Sequence, residues 1–152
     1  MSEFMRQAIR EAYEGMEQGH GGPFGSVIVK DGKIIGRGHN RVICKKDPTC
    51  HGEIEAIRDA CRNLDTFDLS GCELYTTAEP CPMCLGAVLW ANIKTVYYGC
   101  SRKDTEKIGF RDEVFYEHLE GRTNLLKLNE LQREECQRLF HDFQDKTDKS
   151  MY

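Results

Sequence analysis

Between Phe4 and Met16 the apolar residues fall at 4, 5, 8, 9, 12, 13 and 16, one face of an amphipathic helix that Gly19–Gly22 ends. The period then changes to two. Ser26–Lys30 and Lys33–Arg37 flank Asp31-Gly32, a dipeptide suited to a tight hairpin because both turn residues must take positive φ. Residues 40–50 read as a loop. A helix is predicted over 51–64, with Ile54, Ile57, Cys61 and Leu64 on one side. A strand follows over Cys72–Thr77 and another over Lys94–Gly99. Between them, 82–91 is a short helix, apolar nearly all round and therefore expected to be buried. After a short helix of unassigned bounds, Thr123–Leu128 reads as a fifth strand. The last helix spans about 130–144, with Leu131, Cys136, Leu139, Phe140 and Phe143 as its buried stripe.

A hairpin followed by βαβ crossovers predicts an α/β fold. The expectation is a three-layer α-β-α sandwich, with a five-stranded mixed sheet and helices on both faces. The 152 residues carry 39% hydrophobic and 30% charged side chains, enough apolar surface for one domain with its own core. The longest apolar run, Leu85–Ala91, is far short of the ~18 residues of a membrane span, so no membrane association is expected. The first residues lack the basic and apolar regions of a secretory signal, which points to a cytoplasmic protein. A net charge of -4 argues against a nucleic-acid partner without excluding a local basic patch. In a reducing compartment metal or catalytic roles are more expected of the eight cysteines than disulfides, and most of them, such as Cys61 and Cys72, fall inside apolar patterns as small buried hydrophobes.

Two segments carry chemistry: His51-Gly52-Glu53 and Pro80-Cys81-Pro82-Met83-Cys84, each opening a predicted helix. Cys81 and Cys84, three apart on a first turn, can aim both sulfurs at one point. The positive end of the helix favours the thiolate form, which is the form that binds metal. His51 adds a neutral nitrogen. Three such donors and an open fourth position suit one catalytic zinc per chain, with an activated water as nucleophile. Glu53 is then placed to move a proton from the water to a substrate nitrogen. Two other readings exist. Cys-x-x-Cys between strand and helix also fits a thioredoxin-like redox pair, which leaves His51 and Glu53 without a role. A structural zinc site needs a fourth protein ligand, for which Cys44 is the best placed.

His51-x-Glu53 with Pro80-Cys81-x-x-Cys84 is the signature of zinc nucleobase deaminases. Over nearly its whole length the chain resembles the cytidine-deaminase-like superfamily, and within it the small bacterial guanine deaminases. The finer resemblance rests on Gly21-Gly22-Pro23-Phe24-Gly25, Asp47-Pro48-Thr49, the run Glu79–Ala87, Ile108-Gly109-Phe110-Arg111-Asp112 and a terminal tyrosine. It departs from them in several places. His51-Gly52-Glu53 is the form found in fungal cytosine deaminase, Gly36-Arg37-Gly38-His39-Asn40 and the Glu134-Glu135-Cys136 helix also resemble cytosine and tRNA-adenosine deaminases, and Arg111 stands where an acidic residue is usual.

The resemblance implies hydrolytic deamination of a purine base, guanine to xanthine and ammonia. Glu53 and Asp112 would be catalytic, His51, Cys81 and Cys84 would hold zinc, and Phe24, Asn40 and Tyr152 would bind the base. Phe24 would stack on it, or else serve as a core residue at a strand start. Asn40 offers a donor and an acceptor to a purine edge, or else marks a turn. Asp112 would accept protons from the base or assist ammonia release, or else be a solvated loop charge. Tyr152 would close the pocket of a neighbouring subunit, because the family exchanges C-terminal segments in a dimer. A homodimer exchanging residues 129–152 is thus expected. The same fold also serves cytosine, nucleosides and tRNA adenosine. A non-catalytic zinc-stabilised binding module is the remaining alternative, for which an intact Glu53 has no use.

Overall fold

The computed structural model describes residues 2–152. Helix α1 (Glu3–Glu17) starts at Ser2, whose side chain accepts from the Met5 N–H. Strands β1 (Gly25–Lys30) and β2 (Lys33–His39) form the hairpin, with φ of 50° at Asp31 and 76° at Gly32. Helix α2 (Val42–Lys45) is one short turn inside the expected loop. Then follow α3 (Gly52–Leu64), β3 (Glu73–Ala78), α4 (Pro82–Trp90), β4 (Thr95–Cys100), α5 (Arg102–Lys107), α6 (Asp112–Leu119) and α7 (Arg133–Asp145).

The sheet has strand order β2-β1-β3-β4, with β1 antiparallel to β2 and β3, and β3 parallel to β4. It is mixed, as expected, but has four strands and not five. Residues 123–128 are irregular and β4 is left as an edge. Their apolar residues are largely exposed, Leu128 being 89% accessible, so they lack the covered face that would hold a strand in register.

Strand pairing fixes which side chains face which helices. Ser26 lies opposite Thr76 and Ile28 opposite Leu74, on one face. Ile28 and Leu74 are fully buried there against Ala56 and Ala60 of α3 and Val88 of α4. On the other face α1 covers the sheet, and Phe4 packs its ring on Tyr75 at 5.3 Å. Helix α3 comes very close to β2. A Cβ on Gly38 would lie 2.4 Å from the backbone nitrogen of Ala56, and one on Gly36 2.6 Å from the Ala56 carbonyl. The two glycines thus set how near α3 can lie, and with it the height of its N-terminus above the sheet.

Two burial expectations need correction. The stripe of α7 is exposed: Leu131, Leu139 and Phe140 are each more than 60% accessible, Phe143 is 41% accessible, and Cys136 is exposed too. Helix α4 is buried only through Cys84 and Val88, and Leu89 and Trp90 stand out from it. In both helices the apolar residues outnumber the surfaces that one chain folds against them. Among the described residues no helix is long and apolar enough to cross a membrane.

Candidate active site

The site lies where the N-termini of α3 and α4 converge beside β1 and β3. His51 is the N-cap of α3 and Cys81 the N-cap of α4, both with extended backbone. Neither side chain caps its own helix, so imidazole and thiol are free for another partner. Pro82 takes the first helical position of α4, where its fixed φ is pre-set for the helix and no N–H is lost. The Asp47 carboxylate accepts from the Thr49 N–H at 2.8 Å and from its hydroxyl at 2.6 Å. The Thr49 carbonyl in turn accepts from the His51 N–H at 2.8 Å, which fixes the approach to the histidine.

His51 Nδ1 is 3.5 Å from both Cys81 Sγ and Cys84 Sγ. Tetrahedral zinc with ordinary Zn–S and Zn–N bonds would separate a nitrogen and a sulfur donor by about 3.6 Å, so both nitrogen–sulfur separations match that ion. The metal-free electrostatics point the same way. A hydrogen bond from Cys84 pulls the Cys81 thiol down to about 4, and the Cys81 sulfur, burial and the Glu53 carboxylate push Cys84 upward. His51 is raised chiefly by its hydrogen bond with Cys81. A dication replaces the protons these groups share. Among the described residues the cluster contains only these three donors. Cys44 is exposed, with its sulfur on the Arg41 carbonyl at 3.5 Å, so it supplies no fourth ligand and the position stays open for chemistry.

Glu53, in the first turn of α3, is buried, and among the described residues no Lys or Arg pairs with it. Thr76 Oγ1 donates to Glu53 Oε1 at 3.0 Å, and Ser26 Oγ lies 2.9 Å from Thr76 Oγ1 and 3.2 Å from the same carboxylate oxygen. Both hydroxyls meet one oxygen, so the other is not tied to the strands. Sequence reading missed Ser26 and Thr76. Their only signal was parity with the buried Ile28 and Leu74, which acquires meaning once the register of β1 and β3 is known.

Beside this centre opens a cavity of about 890 Å³, lined among others by Phe24, Asn40, His51, Glu53, Phe110 and Asp112. Phe24 meets Phe110 edge to face at 4.9 Å, and the two rings make one wall. Asn40 is buried and its Oδ1 accepts from the Val42 N–H at 3.0 Å. Its acceptor is thus engaged, which leaves the amide NH₂ for a ligand. Asp112 opens α6, and burial together with the nearby Cys81 charge pushes its carboxyl up to about 6. Arg111, also on the cavity lining, stacks its guanidinium on Phe115 at 5.1 Å. Tyr152 is not brought to this cavity. It is 81% accessible and lies against Trp90 and Phe67, with ring centroids 5.8 and 6.3 Å away.

A His-Cys-Cys donor set at two helix starts, with a buried carboxylate beside it, defines a catalytic zinc centre. Residues 1–100 match the cytidine and deoxycytidylate deaminase zinc-binding region, and the chain belongs to this family of zinc-dependent deaminases. It is similar to the guanine deaminase of Bacillus subtilis, 49% identical over 117 residues that cover 77% of this chain and 75% of that protein. It is also similar to the tRNA-specific adenosine deaminase of Buchnera aphidicola, 39% identical over 143 residues covering 93% and 92%. The X-ray structure of the Bacillus subtilis guanine deaminase superposes with a TM-score of 0.89 at 42% identity, covering 100% of this chain and 99% of that one.

Proposed function

We propose that the protein hydrolyses guanine to xanthine and ammonia. The observation that carries this reading is Asp112, a carboxylate delivered by α6 into the cavity that holds the zinc donors and Glu53. Ionised, it only accepts hydrogen bonds, which matches the ring N–H and exocyclic amine along one edge of guanine. The similarity to a guanine deaminase over the whole chain supports the same choice.

When bound, zinc supplies activation of a water at neutral pH. Water adds at the ring carbon bearing the amine, and the C–N bond to ammonia breaks. Glu53 takes a proton from the water on the oxygen that the strands leave free. It passes that proton to the ring nitrogen beside the reacting carbon. Ser26 and Thr76 hold the other oxygen, so the carboxylate keeps its direction through the cycle. Asp112 holds the amine edge and passes the second proton of the added water to the departing amine, so that the carbonyl forms and ammonia leaves. Asn40 donates its NH₂ to an acceptor on the far edge of the purine, and Phe24 stacks on the ring face.

The chain then works as a single deaminase domain in a homodimer, with residues 129–152 exchanged between subunits and Tyr152 closing the partner's pocket. The bare stripe of α7, the open edge at β4 and a cavity far larger than one flat base support this arrangement. All eight cysteines are free, which suits a reducing, cytoplasmic setting.

The test is ammonia release from guanine, guanosine, cytosine, adenine and a tRNA anticodon stem, measured side by side. Guanine should be turned over fastest. A tenfold advantage for cytosine, a nucleoside or the tRNA stem would remove guanine and leave the deaminase chemistry standing.

A further inference from the structure

Helix α6 delivers Asp112 yet has no fully buried residue of its own; it packs mainly against α5 and α4 at the edge of the core, so polar contacts matter for its place. Two of them stand out. The Tyr116 hydroxyl donates to the Pro80 carbonyl at 2.5 Å, and that carbonyl belongs to the peptide entering the ligand Cys81. Above the Tyr116 ring, at 4.2 Å from its centroid, lies the Arg102 guanidinium. Arg102 Nε is 3.2 Å from Glu113 Oε2 and 3.5 Å from Glu79 Oε2. Glu113 is the neighbour of Asp112, and Glu79 lies two residues before Cys81. Glu113 Oε2 is buried and makes no well-aligned hydrogen bond; Arg102 is the cation in direct contact with it among the described residues, and Arg122 adds a weaker attraction from further off. The first turns of α6 are thus fastened to the end of β3 by one hydrogen bond and one shared cation.

We propose that Tyr116, braced by Arg102, is a positioning residue that sets the place of Asp112 relative to the metal centre. The proposal rests on the role given to Asp112 above. The two sides of the fastening are unequal. Cys81 and Cys84 are anchored by α4, whose Cys84 and Val88 are buried, whereas α6 is only partly covered. Cutting the fastening therefore releases Asp112 and leaves the zinc ligands where they are. A displacement of about 1 Å at a substrate-holding group is enough to cost a large factor in rate.

Tyr116→Phe removes the hydrogen bond and keeps the ring. In the zinc-loaded protein it should lower kcat/KM for guanine about tenfold, with zinc content and the rate of zinc loss to a chelator unchanged. Arg102→Met should act in the same direction. Combined with Asp112→Asn, Tyr116→Phe should add less than a twofold further loss, because the group it positions is already disabled. Three results would overturn the proposal: a full tenfold loss persisting in the Asp112→Asn background, faster zinc loss in Tyr116→Phe, or wild-type turnover by both single variants at 116 and 102. Wild-type guanine turnover by Asp112→Asn alone is a different failure. It removes Asp112 from the reaction, and the functional reading falls with the positioning role.

Discussion

Glu53 is the residue whose surroundings say most about its task. A buried carboxylate is costly unless its charged form is hydrogen-bonded, and here two hydroxyls from neighbouring strands meet one of its oxygens. Replacing it with Gln keeps the shape and removes the base. Glu53→Gln should lose about 10²–10⁴-fold in turnover, while metal analysis still finds one zinc per chain. Asp112 gives a pH signature. Its carboxyl is lifted from 3.8 to about 6, chiefly by burial, a cause that remains after zinc neutralises the Cys81 thiolate. A carboxyl raised in the fold contributes stability that is complete below the unfolded value and is lost as pH rises through about 6. With half of the group open to solvent, the shift corresponds to about 1–2 kcal/mol. Asp112→Asn should therefore raise the melting temperature at pH 8 and leave it unchanged at pH 4. The same substitution should erase an acid limb of kcat/KM near pH 6, because only the ionised side chain accepts from guanine. Both are read from melts and rates across pH 4–8.

At the scale of elements, the height of α3 above β2 controls the site. Gly38→Ala places a methyl 2.4 Å from the backbone of Ala56, which neither rigid partner can yield cheaply. Overpacking of this kind costs about 1–3 kcal/mol, so the melting temperature should fall by several degrees. Activity should fall with it, since His51 and Glu53 ride on the same helix end. The sequence showed the hairpin, both crossovers and the helix starts, because each has a local signal: positive-φ turn residues, a change of period, a proline at the first helical position. The three zinc donors were legible for the same reason, since their spacing within two short motifs is local. Ser26, Thr76, Phe110 and Tyr116 were not. Each acts through a partner far along the chain: Ser26 and Thr76 meet Glu53 across twenty-seven and twenty-three residues, Tyr116 meets Pro80 across thirty-six, and Phe110 meets Phe24 across eighty-six. Residues 123–128 show the reverse error, in which apolar composition imitated a strand without a sheet edge to receive it.

For the whole molecule, the apolar stripe of α7 and the position of Tyr152 on Trp90 and Phe67 belong together. The proposed exchange of residues 129–152 between subunits is tested by a mixing experiment. Glu53→Gln lacks the base and a chain shortened before Tyr152 lacks the lid, so each dimer alone should be nearly inactive. In a mixed dimer one pocket has an intact Glu53 and receives Tyr152 from the Glu53→Gln subunit. Unfolding and refolding the two together should therefore restore up to about a quarter of wild-type activity, the share expected from random pairing with one working site in half of the dimers. No recovery would show that each Tyr152 serves its own chain or none.

The fastening between Tyr116 and Pro80 also bears on descent. It joins a reaction centre on α3 and α4 to a separately docked wall on α6. Residues 108–119 can drift, lengthen or be replaced by recombination without touching the metal donors, provided a phenol and a guanidinium remain to dock the new wall. In such an architecture a duplicated copy acquires another substrate through its sixth helix, and keeps the chemistry it already has.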